Sequence, residues 1–247
     1  MQPFIWMFKT KGFKKHYLLL LIILLLAYAL NFAFTFMPEF KGIAHLLSLV
    51  PGLYLLGYFW NLTEEIINRE QNIEANNIYD GKIKETYTIT LPELEFIDNV
   101  WRGIASIIAN ILLVIPFAII MLMGLRHGTL AALPPAYAIF IPIFLILFVP
   151  ALLWNFAYRG SVVSVWNIRK AIYLVGNYPL RYFANVFTIV VVSIISGGID
   201  YLLAAFVIST GNLVFIIAAY LIIGIKYLYF IYVNAYLIGT IAPTSEA

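Results

Sequence analysis

Two residues carry the sharpest chemical hypothesis in this chain. Asp200 and Lys226 each interrupt a long apolar run, in Ile199-Asp200-Tyr201 and Ile225-Lys226-Tyr227. Taking an ionised group into hydrocarbon is costly, so each is a functional hypothesis by default. The runs are separated by the turn Ser209 to Asn212. Counted from it, Asp200 lies roughly 16 Å and Lys226 roughly 23 Å down an antiparallel helical hairpin at about 1.5 Å per residue. A flexible lysine stem bridges an axial gap of about 7 Å if the two faces agree. Three readings are open: both charges at the interfaces, with Lys226 snorkelling along its helix to the headgroups; a structural ion pair; or a proton- or ion-coupling site.

Other chemistries find less support. With no cysteine, thiolate metal sites, iron–sulfur clusters, disulfides and cysteine nucleophiles are excluded. His16, His45 and His127 lie on separate segments without metal-ligand spacing. There is no Walker-type Gly-rich loop with its lysine. Intramembrane aspartyl proteolysis needs two facing aspartates, but Asp80 and Asp98 fall in a loop and Asp200 stands alone. No histidine follows Ser196-Gly197 to serve as a base. The expectation is a protein that is not an enzyme, with no cofactor and no metal. Asn31, Asn110, Asn155, Asn185 and Asn234 fall in or beside apolar runs, where amides hydrogen-bond between helices. Pro51, Pro116, Pro134, Pro135, Pro142 and Pro150 can kink or interrupt helices, and broken helices line transporter sites.

The elements that must position these residues follow from composition. Of 247 residues, 63% are hydrophobic and 11% charged, against about 45–50% and roughly 25% in a soluble domain. So few charges cannot coat a water-soluble globule, and the net charge of +3 is too small to point to nucleic acid. Apolar runs near 20 residues must be helical in lipid, because hydrocarbon offers the backbone no partners. Six are present: residues 17–37, 43–60, 100–123, 134–158, 182–208 and 213–238. The first has a rival reading as a signal peptide, with Ala27-Tyr28-Ala29 as cleavage site. Against this, the apolar run continues through Leu30, Phe32, Phe34 and Phe36.

Lysine and arginine in short loops set orientation. An inside N-terminus gathers Lys9, Lys11, Lys14, Lys15, Arg69, Lys82, Lys84, Arg102, Arg159, Arg169, Lys170 and Arg181 on one side, leaving Lys41 and Arg126 outside. Both termini are therefore expected in the cytoplasm. Residues 1–15 mix Phe4, Trp6, Phe8 and Phe13 with lysines, as in an interfacial helix; an ordinary basic flank is the simpler reading. The cytoplasmic connector 61–99 holds nine acids and three bases. In it, Thr63-Glu64-Glu65 could cap and open a helix, Asp80-Gly81 reads as a tight turn, and residues 83–91 alternate like a short β-ribbon. Its acidity is either plain solvation or a docking site for a basic protein partner. The connector 159–181 has near-helical apolar spacing, from Val165 through Ile168 and Ile172 to Val175, ending near Gly176-Asn177 before Pro179. Lys9, Lys11, Lys14, Lys15, Arg159, Arg169, Lys170 and Arg181 are the expected contacts to anionic lipid of the inner leaflet.

Several short motifs occur in a recognisable order: Phe4…Phe8-Lys9…Phe13-Lys14-Lys15 before a span, Gly57-Tyr58 closing the second, and Leu91-Pro92-Glu93-Leu94 with Trp101-Arg102-Gly103 entering the third. Asn167-Ile168-Arg169-Lys170-Ala171, Asn177-Tyr178-Pro179-Leu180-Arg181-Tyr182 and Ala235-Tyr236-Leu237-Ile238-Gly239 follow. This pattern resembles the polytopic membrane-protein family catalogued as domain of unknown function 4013, over nearly the whole chain. The resemblance implies a six-helix integral membrane protein of a bacterium or archaeon, and supplies no activity, cofactor or catalytic residue. The stretch between Asn61 and Thr90 is longer than the family's usual connector.

The expected fold is all-α: a single polytopic bundle of six transmembrane helices with interfacial amphipathic helices, both termini inside. The expected role is that of a non-enzymatic accessory, assembly or lipid-organising component of the cell membrane. The alternative is a small permease or a transporter's membrane subunit. Expected partners are membrane lipids and a protein on the cytoplasmic face.

Overall fold

The computed structural model describes residues 2–10, 12–35, 41–80, 91–126 and 135–241. Among them are eight α-helices and no strand: α1 (Gln2–Lys9), α2 (Phe13–Thr35), α3 (Lys41–Asp80), α4 (Phe96–Arg126), α5 (Pro135–Arg159), α6 (Ile168–Asn177), α7 (Pro179–Thr210) and α8 (Leu213–Gly239). A 3₁₀ turn, Val162–Trp166, joins α5 to α6. Four segments of the described residues are long and apolar enough to cross a membrane: Phe13–Leu30, Phe96–Ile115, Pro179–Thr210 and Leu213–Gly239.

The helices begin and end where the sequence chemistry allows. Asn167 caps α6 by accepting the Lys170 backbone N–H at 3.1 Å, and α6 ends at Asn177, just before Pro179 opens α7. At the hairpin tip Gly211 takes φ +58, a left-handed turn natural to glycine, and its N–H reaches the Val207 carbonyl. Asn212 then caps α8 through the Val214 N–H.

One element departs from expectation. No helix starts at Thr63; α3 runs unbroken from Lys41 to Asp80. Thr63 is fully buried, and its hydroxyl donates to the Phe59 carbonyl one turn earlier at 2.8 Å, so it caps nothing. The reason is a continuous buried stripe, Leu55, Tyr58, Leu62 and Ile66, whose spacing carries the helix past the apolar run. The expected ribbon at residues 83–91 and the Gly81 side of the turn lie outside the described residues, apart from Leu91, which is not helical.

Packing gathers at one end. Among the described residues the α3–α4 pair is the most extensive helix contact. It is close because two glycines face it: a Cβ on Gly57 would sit 1.6 Å from the Asn99 carbonyl oxygen, and one on Gly103 2.1 Å from that of Leu53. Small residues at a crossing let two backbones approach. Above it, Gly239 at the end of α8 lies against Ile66 and Thr63. The α5 end, the 3₁₀ turn and α6 close the layer over Trp154, Phe156, Val165, Ala171 and Leu174, all fully buried.

Candidate functional site

Antiparallel pairing of α7 with α8 brings Asp200 and Lys226 together. Their charged groups form an ion pair, and the Lys226 ammonium also donates to the Ser196 carbonyl at 3.0 Å. Burial is unequal: the Lys226 side chain is 10% exposed and that of Asp200 48%. The cation is thus the enclosed partner, while the carboxylate opens onto a cavity of about 450 Å³ between α3, α7 and α8. Ser193, Ser196, Tyr227 and Asn234 give that cavity a polar side. The buried Asn234 Oδ1 has no hydrogen-bond partner among the described residues.

A second charged pair was not legible in the sequence as a pair. Arg102 meets Glu64 at 2.9 Å, donates to the Ala157 carbonyl at 3.0 Å, and lies 5.1 Å from the centre of the Phe156 ring. One guanidinium so ties α3, α4 and α5. Burial raises the Glu64 carboxyl above its ordinary range despite the opposing pull of the Arg102 charge. Beside this pair Asn61 donates to Asn99 at 2.9 Å and the Trp60 indole to Ser106 at 2.6 Å. These are amides and hydroxyls doing interhelical work.

The expected lipid contacts divide. Lys14, Lys15, Arg159, Arg169 and Arg181 are exposed. Lys11 and the Lys9 side chain lie outside the described residues. Lys170 departs from the set: its ammonium is buried 4.2 Å from the Tyr158 ring centre and 5.3 Å from that of Trp154, whose rings stack on each other. Ring faces attract a cation, but burial, helped by the neighbouring Arg159 charge, lowers the Lys170 pKa. The i, i+4 spacing of Trp154 and Tyr158 is the one sequence signal for this cradle. Around it the surface is apolar and large, with Val163, Trp166, Ile168, Ile172 and Leu180 exposed beside Arg169 and Arg181.

Of the five asparagines expected between helices, two bond there. Asn155 donates to the Asn167 carbonyl at 3.3 Å, and Asn185 to the Leu237 carbonyl at 2.8 Å and to Thr240 at 3.2 Å. Asn110 instead donates within α4, to the Ser106 carbonyl. Asn234 is the unpartnered oxygen above, and the Asn31 side chain lies outside the described residues. Compared with known proteins, the chain matches no family model, no curated protein and no solved structure.

Proposed function

We propose that this chain is a six-span integral membrane protein, both termini cytoplasmic, that works without catalysis as an accessory, assembly or lipid-organising component of a bacterial or archaeal cell membrane. One observation carries the reading. Two internal ion pairs form, Arg102 with Glu64 and Lys226 with Asp200, and the buried Lys170 ammonium lies against aromatic rings, while basic and large apolar side chains crowd the outside of one end. Such a surface suits an inner-leaflet boundary, with aromatic rings at headgroup depth and cations on lipid phosphates. The acidic connector 61–99 is the face offered to a basic protein partner. Six spans and the resemblance to the family of domain of unknown function 4013 belong to the same reading.

Topology is tested first. The chain has no cysteine, so single cysteines introduced at Gly81 and Arg169 can be labelled by an impermeant maleimide without background. Labelling of both from the cytoplasmic side is expected; labelling from opposite sides overturns the topology. Function is tested by what remains bound after gentle isolation. Anionic lipid or a stoichiometric protein partner is expected, and a chain that isolates bare counts against an accessory role.

A second reading, a small permease, is favoured by the half-exposed Asp200 carboxylate in its cavity. In proteoliposomes it requires solute or proton flux that falls when Asp200→Asn removes the charge. Equal flux in both proteins rejects ion coupling through Asp200.

A further inference from the structure

We infer that the cleft between the α1–α2 elbow and α8 is a seat for one anionic phospholipid, its phosphate on Lys14 and Lys15 and an acyl chain along the cleft. The inference rests on the lipid-organising reading above and gives it a site. The cleft encloses about 680 Å³ and is walled by Phe8, Phe13, Tyr17 and Leu18 on one side and Ile222 and Ile225 on the other. That volume falls within the range of about 300–1,000 Å³ usual for small-molecule sites.

The walls are fixed. The Tyr17 hydroxyl donates to the Ile225 carbonyl at 2.6 Å, and the Tyr229 hydroxyl to the Phe4 carbonyl at 3.2 Å, so α1, α2 and α8 are tied together beside the cleft. Lys226 contributes to the wall, but its ammonium is engaged by Asp200. That leaves its stem to the cleft.

Charge complementarity identifies the occupant. Lys14 lines the cleft at the end where α2 begins, and Lys15 is exposed next to it. The chain has no acidic residue before Glu39, and neither lysine meets a carboxylate among the described residues. The exposed Phe8, Leu18 and Ile222 run from that cationic end into the apolar body. From Ile222 to Tyr229 the cleft extends roughly 10 Å along α8 at about 1.5 Å per residue. Cation at one end and a methylene-lined trough at the other match a phosphodiester headgroup followed by its chain. A soluble anion would leave the trough empty, and a zwitterionic lipid would set its own quaternary cation beside the two lysines.

The test uses the full chain reconstituted into mixed phosphatidylglycerol and phosphatidylcholine vesicles, re-extracted in mild detergent and weighed by native mass spectrometry. One retained phosphatidylglycerol per chain is expected, not displaced by excess inorganic phosphate. Lys14→Glu with Lys15→Glu should lower retention about tenfold, with Lys14→Gln and Lys15→Gln as milder variants should the reversal fold poorly. Lys14→Arg with Lys15→Arg should keep it. Ile222→Trp, which fills the trough and spares the lysines, should lower it as much. Displacement by phosphate, unchanged retention in the charge variants, or full retention in Ile222→Trp overturns the seat. Flotation separates the two levels: a chain that fails to float with vesicles defeats the membrane reading, whereas one that floats without retaining phosphatidylglycerol defeats this inference alone.

Discussion

The two ends of the α7–α8 hairpin are made of equally greasy sequence and live in different surroundings. At the basic end, Tyr182, Val186, Tyr232, Ala235 and Leu237 are buried against α3 and its neighbours. From Ser193 through the tip to Ala218 no residue is buried, and Leu202 and Ile208 are 67% and 82% exposed. Mean apolarity therefore says little about which part is core. What separates the ends is what the small and polar residues meet: Gly57 and Gly103 press on facing backbone and Asn99, Ser106 and Glu64 bond between helices, whereas Gly197 and Gly198 on the bare part face no neighbour. This follows from the solvent: lipid tails are as apolar as leucine, so helices associate through close packing and hydrogen bonds, and not by expelling apolar surface.

The largest effect is expected at the tightest crossing. Gly57→Leu or Gly103→Leu forces a side chain onto a facing carbonyl already within 1.6 Å or 2.1 Å of the ideal Cβ. Backbone must move, and a loss of about 3 kcal/mol or more is expected, measured as the unfolding midpoint in mild detergent. Near-normal stability would show that α3 and α4 do not cross here. Next comes Arg102→Ala, which strands Glu64 and leaves the Ala157 carbonyl without its donor. Removing one member of a buried pair costs about 3–5 kcal/mol; because Glu64 is 36% exposed, about 2–3 kcal/mol is expected. The double variant Arg102→Met with Glu64→Leu should recover much of it.

Most of the helices are legible in the sequence. The apolar runs at 100–123, 182–208 and 213–238 fall within α4, α7 and α8, and the amphipathic period of 168–177 is α6. The Asp200–Lys226 pair is one of three open readings, because a two-residue connection fixes the register of a helical hairpin but not whether Lys226 turns to Asp200 or snorkels along its helix. A helix after Thr63 is expected, but not its continuity with the preceding apolar run, since Thr63-Glu64-Glu65 reads as a fresh N-terminal cap. The Arg102–Glu64 pair was beyond reach: 38 residues separate the partners, and only a crossing pinned by Gly57 and Gly103 aligns them. Gly57 and Gly103 themselves stand out within the short motifs, but spacing alone does not say that they face each other.

A smaller effect distinguishes the ends by pH. The Glu64 carboxyl is raised by burial more than the Arg102 charge lowers it. The folded state then holds its proton at pH values where the unfolded chain has released it. Stability contributed at this site falls as pH rises from the ordinary carboxylate range through the raised value. Glu64→Gln should flatten that part of the profile and leave the remainder parallel. Its midpoint change should be smaller than that of Arg102→Ala. An unchanged slope would place Glu64 in open water and weaken the contrast between the two ends.

The smallest effect is expected on the bare part of the hairpin. A Cβ on Gly197 or Gly198 meets nothing within 4 Å, so alanine there adds no clash, and it favours a helix interior by up to about 1 kcal/mol over glycine. Part of that preference reflects glycine's exposure of backbone to water, which hydrocarbon removes. A gain of about 0.5 kcal/mol or less in Gly198→Ala is therefore the expectation, against several kcal/mol lost for a side chain at Gly57. The same thermal measurement serves both variants, so the ratio cancels detergent effects. A clear loss in Gly198→Ala would mean that another helix, from a second copy or a partner, rests on this face. The hairpin would then be an interface with its own tight crossing, and the contrast with the basic end would be one of partners, not of packing.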